Sequence, residues 1–161
     1  MDRYEGFREF VDARQQSLMR TAYLLTGDAH QAEDLLQTVL GNVASHWAKL
    51  GKGGNPEAYT RKALINQHLS WRRRRALAVV TGLDVPDRGE SHDDATLRRL
   101  ALRQALTKLT PRQRAVIVLR FYEDRSEQET AQLMGCSVGT VKSQTHYALS
   151  KLRALAPQEV Y

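Results

Sequence analysis

Apolar residues recur along most of the chain at steps of three and four positions, the period of an amphipathic α-helix. The clearest stripe consists of Ala32, Leu35, Leu36, Val39, Leu40, Val43 and Trp47. Polar Asp34, Gln37 and Thr38 occupy its opposite side. Strand-like alternation is absent, and glycine and proline fall where helices start or end. The pattern therefore predicts an all-α fold.

Capping residues divide this pattern into helices. In the first half we expect a helix over 4–26 that ends at Gly27, a second capped by Asp28, and a third from Asn55-Pro56-Glu57 to about 75. In the second half we expect a helix over 95–109. Thr110 and Ser126 each begin a capping box, and Ser137 caps a last helix to about 155.

Charge is distributed unevenly over the 161 residues. The chain carries 24 Lys and Arg against 18 Asp and Glu, a net charge of +6. Residues 55–75 carry +5 and residues 97–161 carry +6, whereas residues 76–96 carry −4. The acidic stretch also contains Gly82, Pro86 and Gly89, which is typical of a flexible linker. We therefore predict two small helical domains, 1–78 and 96–161, joined by an acidic linker over 79–95.

Composition excludes several classes of protein. The single cysteine, Cys136, allows no intramolecular disulfide and no cysteine-based zinc cluster. No apolar run is long enough to cross a bilayer, and the amino terminus has no signal-peptide core. We expect a cytoplasmic protein without membrane insertion, and no cofactor. The positive charge favours a polyanionic partner such as nucleic acid.

Residues 127–152 have the pattern of a helix-turn-helix, in which a short helix, a tight turn and a longer helix follow one another. Ala131 permits close helix approach, Gly135 suits the turn, and Val141 packs between the helices. Outward positions that suit a DNA major groove are Thr140, Ser143, Gln144 and Tyr147, with Lys142 and Lys151 beside them. An ordinary helical hairpin with a polar outer face is the alternative.

Residues 56–75 form a second candidate surface, with Tyr59, Lys62, Asn66 and Arg73 on one helical face. Aromatic, amide and cationic side chains together suit single-stranded or melted DNA, because bases stack on rings while cations hold the backbone. A solvated charge run or an anionic-lipid patch would explain the arginines at 72–75 as well.

Four segments resemble the extracytoplasmic-function (ECF) sigma factors of bacterial RNA polymerase. Residues 127–155, centred on SVGTVKS at 137–143, and LTPRQR at 109–114 resemble their carboxy-terminal DNA-binding domain. AEDLLQTV at 32–39 is similar to their polymerase-binding helix, and residues 58–75 to their helix for the downstream promoter element. Trp47, Asn66 and the Trp71-Arg72-Arg73 run resemble the actinobacterial SigE-like subgroup.

The resemblance implies partners and roles. The partners are promoter DNA, the clamp helices of the largest subunit of core RNA polymerase and the flap of the second-largest subunit; the family also uses anti-sigma factors. Polymerase contacts would be Glu33, Asp34, Gln37 and Thr38. The downstream element would be contacted by Lys52, Asn55, Tyr59, Arg61, Lys62, Asn66, Trp71, Arg72, Arg73, Arg74 and Arg75, with the loop over 50–55 capturing a flipped base. The upstream element would be contacted by Ser137, Thr140, Lys142, Ser143, Gln144, His146, Tyr147 and Lys151.

Two positions depart from the family pattern. Tyr147 stands where an arginine is common, which puts a phosphate contact in doubt. Thr145 stands where a larger aliphatic residue is common, which would loosen the recognition helix.

Other functions fit the sequence less well. One candidate metal site consists of Asp28, His30, Glu33 and Asp34. The same acids are also ordinary for the start of a helix. A Cys136–His146 nucleophile pair is disfavoured because Cys136 falls in the turn, where a small apolar residue packs. The loop over 51–54 lacks the preceding strand and the Lys-Ser/Thr ending of a phosphate loop. We therefore expect no enzyme. A stand-alone helix-turn-helix regulator with an amino-terminal sensing or dimerisation domain remains the main alternative, followed by a bundle that binds acidic proteins.

Overall fold

The computed structural model describes residues 2–80 and 103–155 of the chain. The chain divides into two compact units, Met1–Arg88 and Gly89–Tyr161, and the division falls inside the segment 79–95. Residues 81–95 of the expected linker and residues 95–102 of the helix expected to follow it lie outside the described residues. Every regular element in the described ranges is helical, which confirms the all-α prediction.

The described part of unit 1, residues 2–80, contains four helices: α1 (Phe7–Thr26), α2 (Ala29–Ser45), α3 (Trp47–Leu50) and α4 (Pro56–Val80). Asp28 caps α2 as expected, because its Oδ1 accepts a hydrogen bond from the backbone N–H of Gln31 at 3.0 Å. Asn55 caps α4 in the same way, accepting from the N–H of Ala58 at 3.1 Å. These caps satisfy backbone donors that the first helical turn leaves unpaired.

The core of unit 1 forms where α2 packs against both α1 and α4. Its fully buried residues include most of the α2 stripe predicted from the sequence, although Leu40 is half-buried. They are Leu18, Ala22, Ala32, Leu35, Leu36, Val39, Val43, Leu64 and Ile65. Each buried leucine or isoleucine stabilises the fold by roughly 1.5–3 kcal/mol. At one end, Trp47 lies against the rings of Phe7 and Phe10, and its Nε1 donates to the carbonyl of Glu5 at 2.6 Å. The tryptophan therefore fastens α3 to the amino-terminal turn.

Unit 2 contains a helical segment over 103–107 and then α5 (Pro111–Ile117), a π-helical turn (Val118–Tyr122), α6 (Glu127–Met134) and α7 (Val138–Leu155). Both expected capping boxes are present, with Thr110 paired to Gln113 and Ser126 paired to Glu129. Gly135 ends α6 at a φ of 65°, in the left-handed region that favours glycine. The helix-turn-helix predicted over 127–152 is therefore confirmed as α6, turn and α7.

The core of unit 2 joins α7 to the helices that precede the helix-turn-helix. Leu106, Leu109, Ile117 and Ala148 form a buried cluster, against which the half-buried Leu149 and Leu152 of α7 pack. Val141 is fully buried and Ala131 nearly so, as the helix-turn-helix pattern requires. The buried side of α7 therefore fixes which of its residues face solvent.

Three boundaries differ from the sequence prediction. The first helix begins at Phe7 rather than near residue 4, because Gly6 has a φ of 83° and residues 3–6 form turns. The second helix ends at Ser45, and Trp47 starts a separate short helix. The third continues to Val80, since residues 76–80 contain no glycine or proline to end it.

Candidate nucleic-acid and polymerase interfaces

One side of α4 carries an exposed polar and cationic surface. Tyr59, Lys62, Asn66 and Arg73 are exposed and stand three, four and seven residues apart, which places them on one side of the helix. The ring of Tyr59 lies 5.8 Å from that of His46, centroid to centroid. The structure therefore brings together the four residues that the sequence placed on one face.

The arginine run continues this surface around the helix. Arg72, Arg73 and Arg74 are exposed, whereas Trp71 and Arg75 are half-buried. Desolvation lowers the pKa of Arg72 below its ordinary value, and the charge of Arg75 lowers it further. Because successive helical residues are rotated by about 100°, these cations line more than one side of α4.

Arg61 does not belong to this surface. Its side chain is 8% exposed and points towards α1, where Nη2 donates to the Ser17 hydroxyl at 2.6 Å and Nη1 to the Thr21 hydroxyl at 3.1 Å. Its Nε also pairs with Glu57 at 3.3 Å. We therefore correct the expected DNA-contacting role of Arg61 to a structural one, because its guanidinium is enclosed within unit 1.

The loop between α3 and α4 borders a shallow cleft. Lys52 and Asn55 are exposed, together with the three glycines of the loop. The cleft has a volume of about 420 Å³, and Lys52 lines it with Trp47 and the amino-terminal Asp2 and Glu5. The side-chain oxygen of Asn55 caps α4, which fixes this side chain at the start of the helix. The loop thus presents a cation and an amide beside an opening.

The outer side of α2 forms a separate surface of different charge. Glu33, Asp34, Gln37 and Thr38 are all exposed, opposite the buried stripe of the same helix. The helix contains neither lysine nor arginine. The four residues expected to bind polymerase therefore share one acidic to neutral side of a cation-free helix.

The amino-terminal half of α7 presents the candidate recognition surface. Lys142, Ser143, His146, Tyr147 and Lys151 are exposed; Thr140 and Gln144 are half-buried. The exposed fraction of Tyr147 is 60%, and its ring lies 5.7 Å from that of His146 in an edge-on arrangement. This surface ends in one aromatic pair and is flanked by two lysines.

Hydrogen bonds between residues three or four positions apart stabilise the first half of α7. The exposed Ser137 caps the helix, accepting from the N–H of Thr140 at 3.1 Å. The Ser143 hydroxyl donates to the carbonyl of Thr140 at 3.1 Å, which leaves its oxygen able to accept. Thr145 donates to the carbonyl of Val141 at 2.7 Å, so the residue that departs from the family pattern bonds within its own helix.

The described residues give no support to the catalytic alternatives. No group of three or more His, Cys, Asp or Glu side chains in the described ranges is arranged to hold a metal ion. Asp28 is buried and caps α2, so its role is structural, and Cys136 is half-buried in the turn. Among the helices that the structure describes, none has the length and apolarity needed to cross a membrane.

Sequence reasoning missed two features of the surface. The π-helical turn exposes Phe121 and Tyr122, with exposed fractions of 54% and 42%, whereas the capping box at Thr110 predicts an ordinary α-helix here. No sequence signal distinguishes a π-turn from an α-turn here. The enclosure of Arg61 was also missed, although its four-residue spacing from Glu57 was a signal of pairing.

Comparison with known proteins assigns both units. Residues 10–77 match the family model for sigma-70 region 2, and residues 99–152 match that for sigma-70 region 4. The RNA polymerase sigma-E factor of Streptomyces coelicolor is 41% identical, over 91% of this chain and 84% of the relative. The ECF RNA polymerase sigma factor SigL of Mycobacterium tuberculosis is 33% identical, over 91% of this chain and 86% of the relative.

A solved structure agrees with these relatives. The sigma factor RpoE from Bartonella quintana, in complex with the anti-sigma factor NepR, has a TM-score of 0.74 and 26% identity to this chain. The match covers 92% of this chain and 95% of that one. The chain therefore belongs to the extracytoplasmic-function group of the sigma-70 family of RNA polymerase sigma factors.

Proposed function

We propose that this chain is a dissociable initiation subunit that directs core RNA polymerase to particular promoters and assists their melting. The observation that carries the proposal is the placement of one cationic surface on α4 and one recognition helix, α7, in two separate units that match sigma regions 2 and 4. Each surface on its own suits DNA, and together they suit a promoter with two separated elements.

In this proposal α4 binds the downstream element in its melted form. Tyr59 offers a ring on which a base can stack, and Lys62 and Arg73 offer cations to the backbone on the same side. Base stacking on an aromatic side chain contributes roughly 1–3 kcal/mol per base. Extruding a base costs a few kcal/mol, so capture at the cleft beside Lys52 favours melting where the duplex is already weak.

The recognition helix binds the upstream element as duplex. A helix-turn-helix places the amino-terminal half of its second helix in the major groove, which here contains Lys142, Ser143 and Gln144. Glutamine pairs through two hydrogen bonds with adenine, whereas lysine alongside it suits a phosphate. Tyr147 replaces an expected cation with an exposed ring, which favours contact with a thymine methyl group or a sugar over a phosphate.

Polymerase binds elsewhere on the chain in this proposal. The side of α2 with Glu33, Asp34, Gln37 and Thr38 docks on the clamp helices of the largest subunit, and unit 2 docks on the flap of the second-largest subunit. Support comes from the exposure of all four residues and from the lack of cations in α2, which keeps DNA away from this side. An anti-sigma factor is a further proposed partner, because the solved RpoE structure contains one.

The stand-alone regulator is not retained. It assigns residues 1–80 to sensing or dimerisation, whereas residues 10–77 match sigma-70 region 2. The two functions also predict different DNA binding: a regulator binds its operator alone, whereas a sigma factor requires core RNA polymerase.

Reconstitution with core RNA polymerase tests the proposal. Purified chain plus core should yield transcripts from defined start sites on genomic promoter fragments, with permanganate-reactive thymines near the start site, whereas either component alone should yield neither. The variant Lys62→Ala/Asn66→Ala should reduce thymine reactivity, and Arg20→Ala, which removes an exposed cation of α1, should not. Specific DNA binding by the chain alone, with no effect on core, would refute the proposal.

A further inference from the structure

Nothing in the packing or backbone conformation of the protein requires a glycine at position 41. It is the thirteenth residue of the 17-residue helix α2 and is exposed. A Cβ atom added to it would meet nothing within 4 Å. Glycine in a helix interior destabilises the helix relative to alanine, because a glycine loses more backbone freedom when the chain folds. The protein therefore tolerates a cost that its own packing does not require.

The other glycines in the described residues differ from Gly41 in this respect. Those with a positive φ are Gly6, Gly27, Gly53 and Gly135. Gly51 and Gly54 would bring a Cβ within 3.2 and 3.0 Å of backbone atoms, and Gly139 would place one in ordinary contact with Ser137. Within the described ranges, Gly41 alone combines a helical backbone with open space around the missing side chain.

The position of Gly41 on α2 connects it to the proposed polymerase surface. It follows Asp34 by seven residues, Gln37 by four and Thr38 by three, so all four lie on one side of the helix. The buried residues Ala32 and Val39 lie on the opposite side. From Glu33 to Ser45 this side spans about 18 Å at 1.5 Å per residue, which is long enough for a second helix to lie along it.

We propose that Gly41 is the point of closest approach between α2 and a basic helical segment of core RNA polymerase, where a missing side chain lets the partner backbone come close. The inference rests on the proposed function and names the geometry of its polymerase contact. Charge supports this occupant: the side carries two carboxylates, Glu33 and Asp34, in a helix without lysine or arginine, although the chain as a whole has a net charge of +6. A DNA partner would be repelled there, whereas a basic protein surface is attracted.

The test uses two substitutions with opposite effects on folding and binding. Gly41→Ala should raise the melting temperature of unit 1 by about 4 °C, since it removes the glycine penalty without a clash. The same change should weaken binding of the full chain to core polymerase several-fold. Gly41→Leu should weaken it by about 10–100-fold, as expected for overpacking a close contact. Higher stability combined with weaker binding is a pattern that misfolding cannot produce.

Ala13→Leu is the matched control, since Ala13 is an exposed position in the middle of α1 and receives the same side chain. It should bind core polymerase as the unmodified chain does. Affinity is measured by titrating core into chain labelled at its carboxy terminus, and stability by thermal melting of each free variant.

Each other outcome has a defined meaning. Normal core binding by both Gly41 variants, alongside weakened binding by Asp34→Ala, would overturn the inference and leave the proposed function intact. An unmodified chain that fails to bind core would refute the proposed function and the inference with it. Loss of self-association by Gly41→Leu in sedimentation, with core binding unchanged, would assign the surface to a second copy of the chain and also overturn the inference.

Discussion

Arg61 provides the sharpest test of how unit 1 is held together. Its guanidinium links α4 to α1 through Ser17 at 2.6 Å and Thr21 at 3.1 Å, and pairs with Glu57 at 3.3 Å. Glu57 in turn pairs with Arg14 of α1 at 3.2 Å. Replacing Arg61 by alanine removes the shared cation of this network and takes one hydrogen-bond donor from each of Ser17, Thr21 and Glu57.

The expected loss of stability follows from these contacts. Breaking a buried ion pair by removing one partner costs about 3–5 kcal/mol. The Glu57 side chain is 32% exposed and keeps Arg14 as a partner, so we expect the lower end, about 3 kcal/mol. If the free energy of unfolding falls by about 2 kcal/mol per molar urea, the unfolding midpoint should fall by about 1.5 M.

Tryptophan fluorescence measures this loss in unit 1 alone. The chain contains two tryptophans, Trp47 and Trp71, and both lie in unit 1. Arg73→Ala is the matched control, because Arg73 is an exposed arginine of the same helix. It should leave the midpoint nearly unchanged while lowering the log–log salt dependence of promoter binding by about 0.7–0.9. Arg61→Lys should be intermediate in stability, because lysine keeps the charge but lacks the planar fork.

The refuting result is specific. If Arg61→Ala unfolds at the same urea concentration as the unmodified chain and lowers the salt dependence as Arg73→Ala does, Arg61 contacts DNA. The structural role assigned to it would then be wrong.

Three further predictions concern charge and recognition. Replacing the arginines at 72–75 by alanine should lower the log–log salt dependence of promoter binding by roughly 3, measured by filter binding of the holoenzyme; an unchanged slope would exclude them as phosphate contacts. Gln144→Ala should change the preference for an upstream base by about 1–3 kcal/mol, whereas Lys142→Ala should weaken all sequences alike; identical selection profiles would contradict this division. Hydrogen bonds from the backbone and hydroxyl of Ser126 hold the pKa of Glu129 below its ordinary 4.5. The ionised Glu129 carboxylate therefore stabilises the folded protein above pH 4.5, and this contribution is lost as the pH falls through the lower pKa of the folded state. Glu129→Gln keeps the capping box but cannot titrate. The difference in free energy of unfolding between this variant and the unmodified chain, measured by urea unfolding with circular dichroism, should shrink below pH 4.5. A difference that stays constant with pH would refute the assignment.

Local features of the fold were predictable because they depend on neighbouring residues. Asp28, Thr110 and Ser126 cap helices as the sequence indicated, since a cap requires only a short polar side chain and the N–H groups two or three residues later. The apolar stripe of α2 was predictable from its period alone. Both signals are contained within a single helix and its cap.

Features that depend on distant residues were not predictable. The enclosure of Arg61 requires Ser17 and Thr21, more than 39 positions earlier, to face it across a helix–helix contact. Helical periodicity places Arg61 on a side of α4 but does not say what covers that side. The end of α4 at Val80, beyond the predicted end near residue 75, has another reason: residues 76–80 contain no glycine or proline to stop the helix.

The π-helical turn at Val118–Tyr122 has a consequence for chain length. Such a turn fits one more residue into the same rise than an α-helix does, so it is equivalent to a single-residue insertion absorbed within a helix. Val118 and Leu119 remain buried while the surplus is accommodated at the outward Phe121 and Tyr122. Deleting one of these two outward residues should therefore restore an α-helical ladder while the capping box at Ser126 keeps its own local bonds. A one-residue change of length in this segment should therefore leave the helix-turn-helix of α6 and α7 intact.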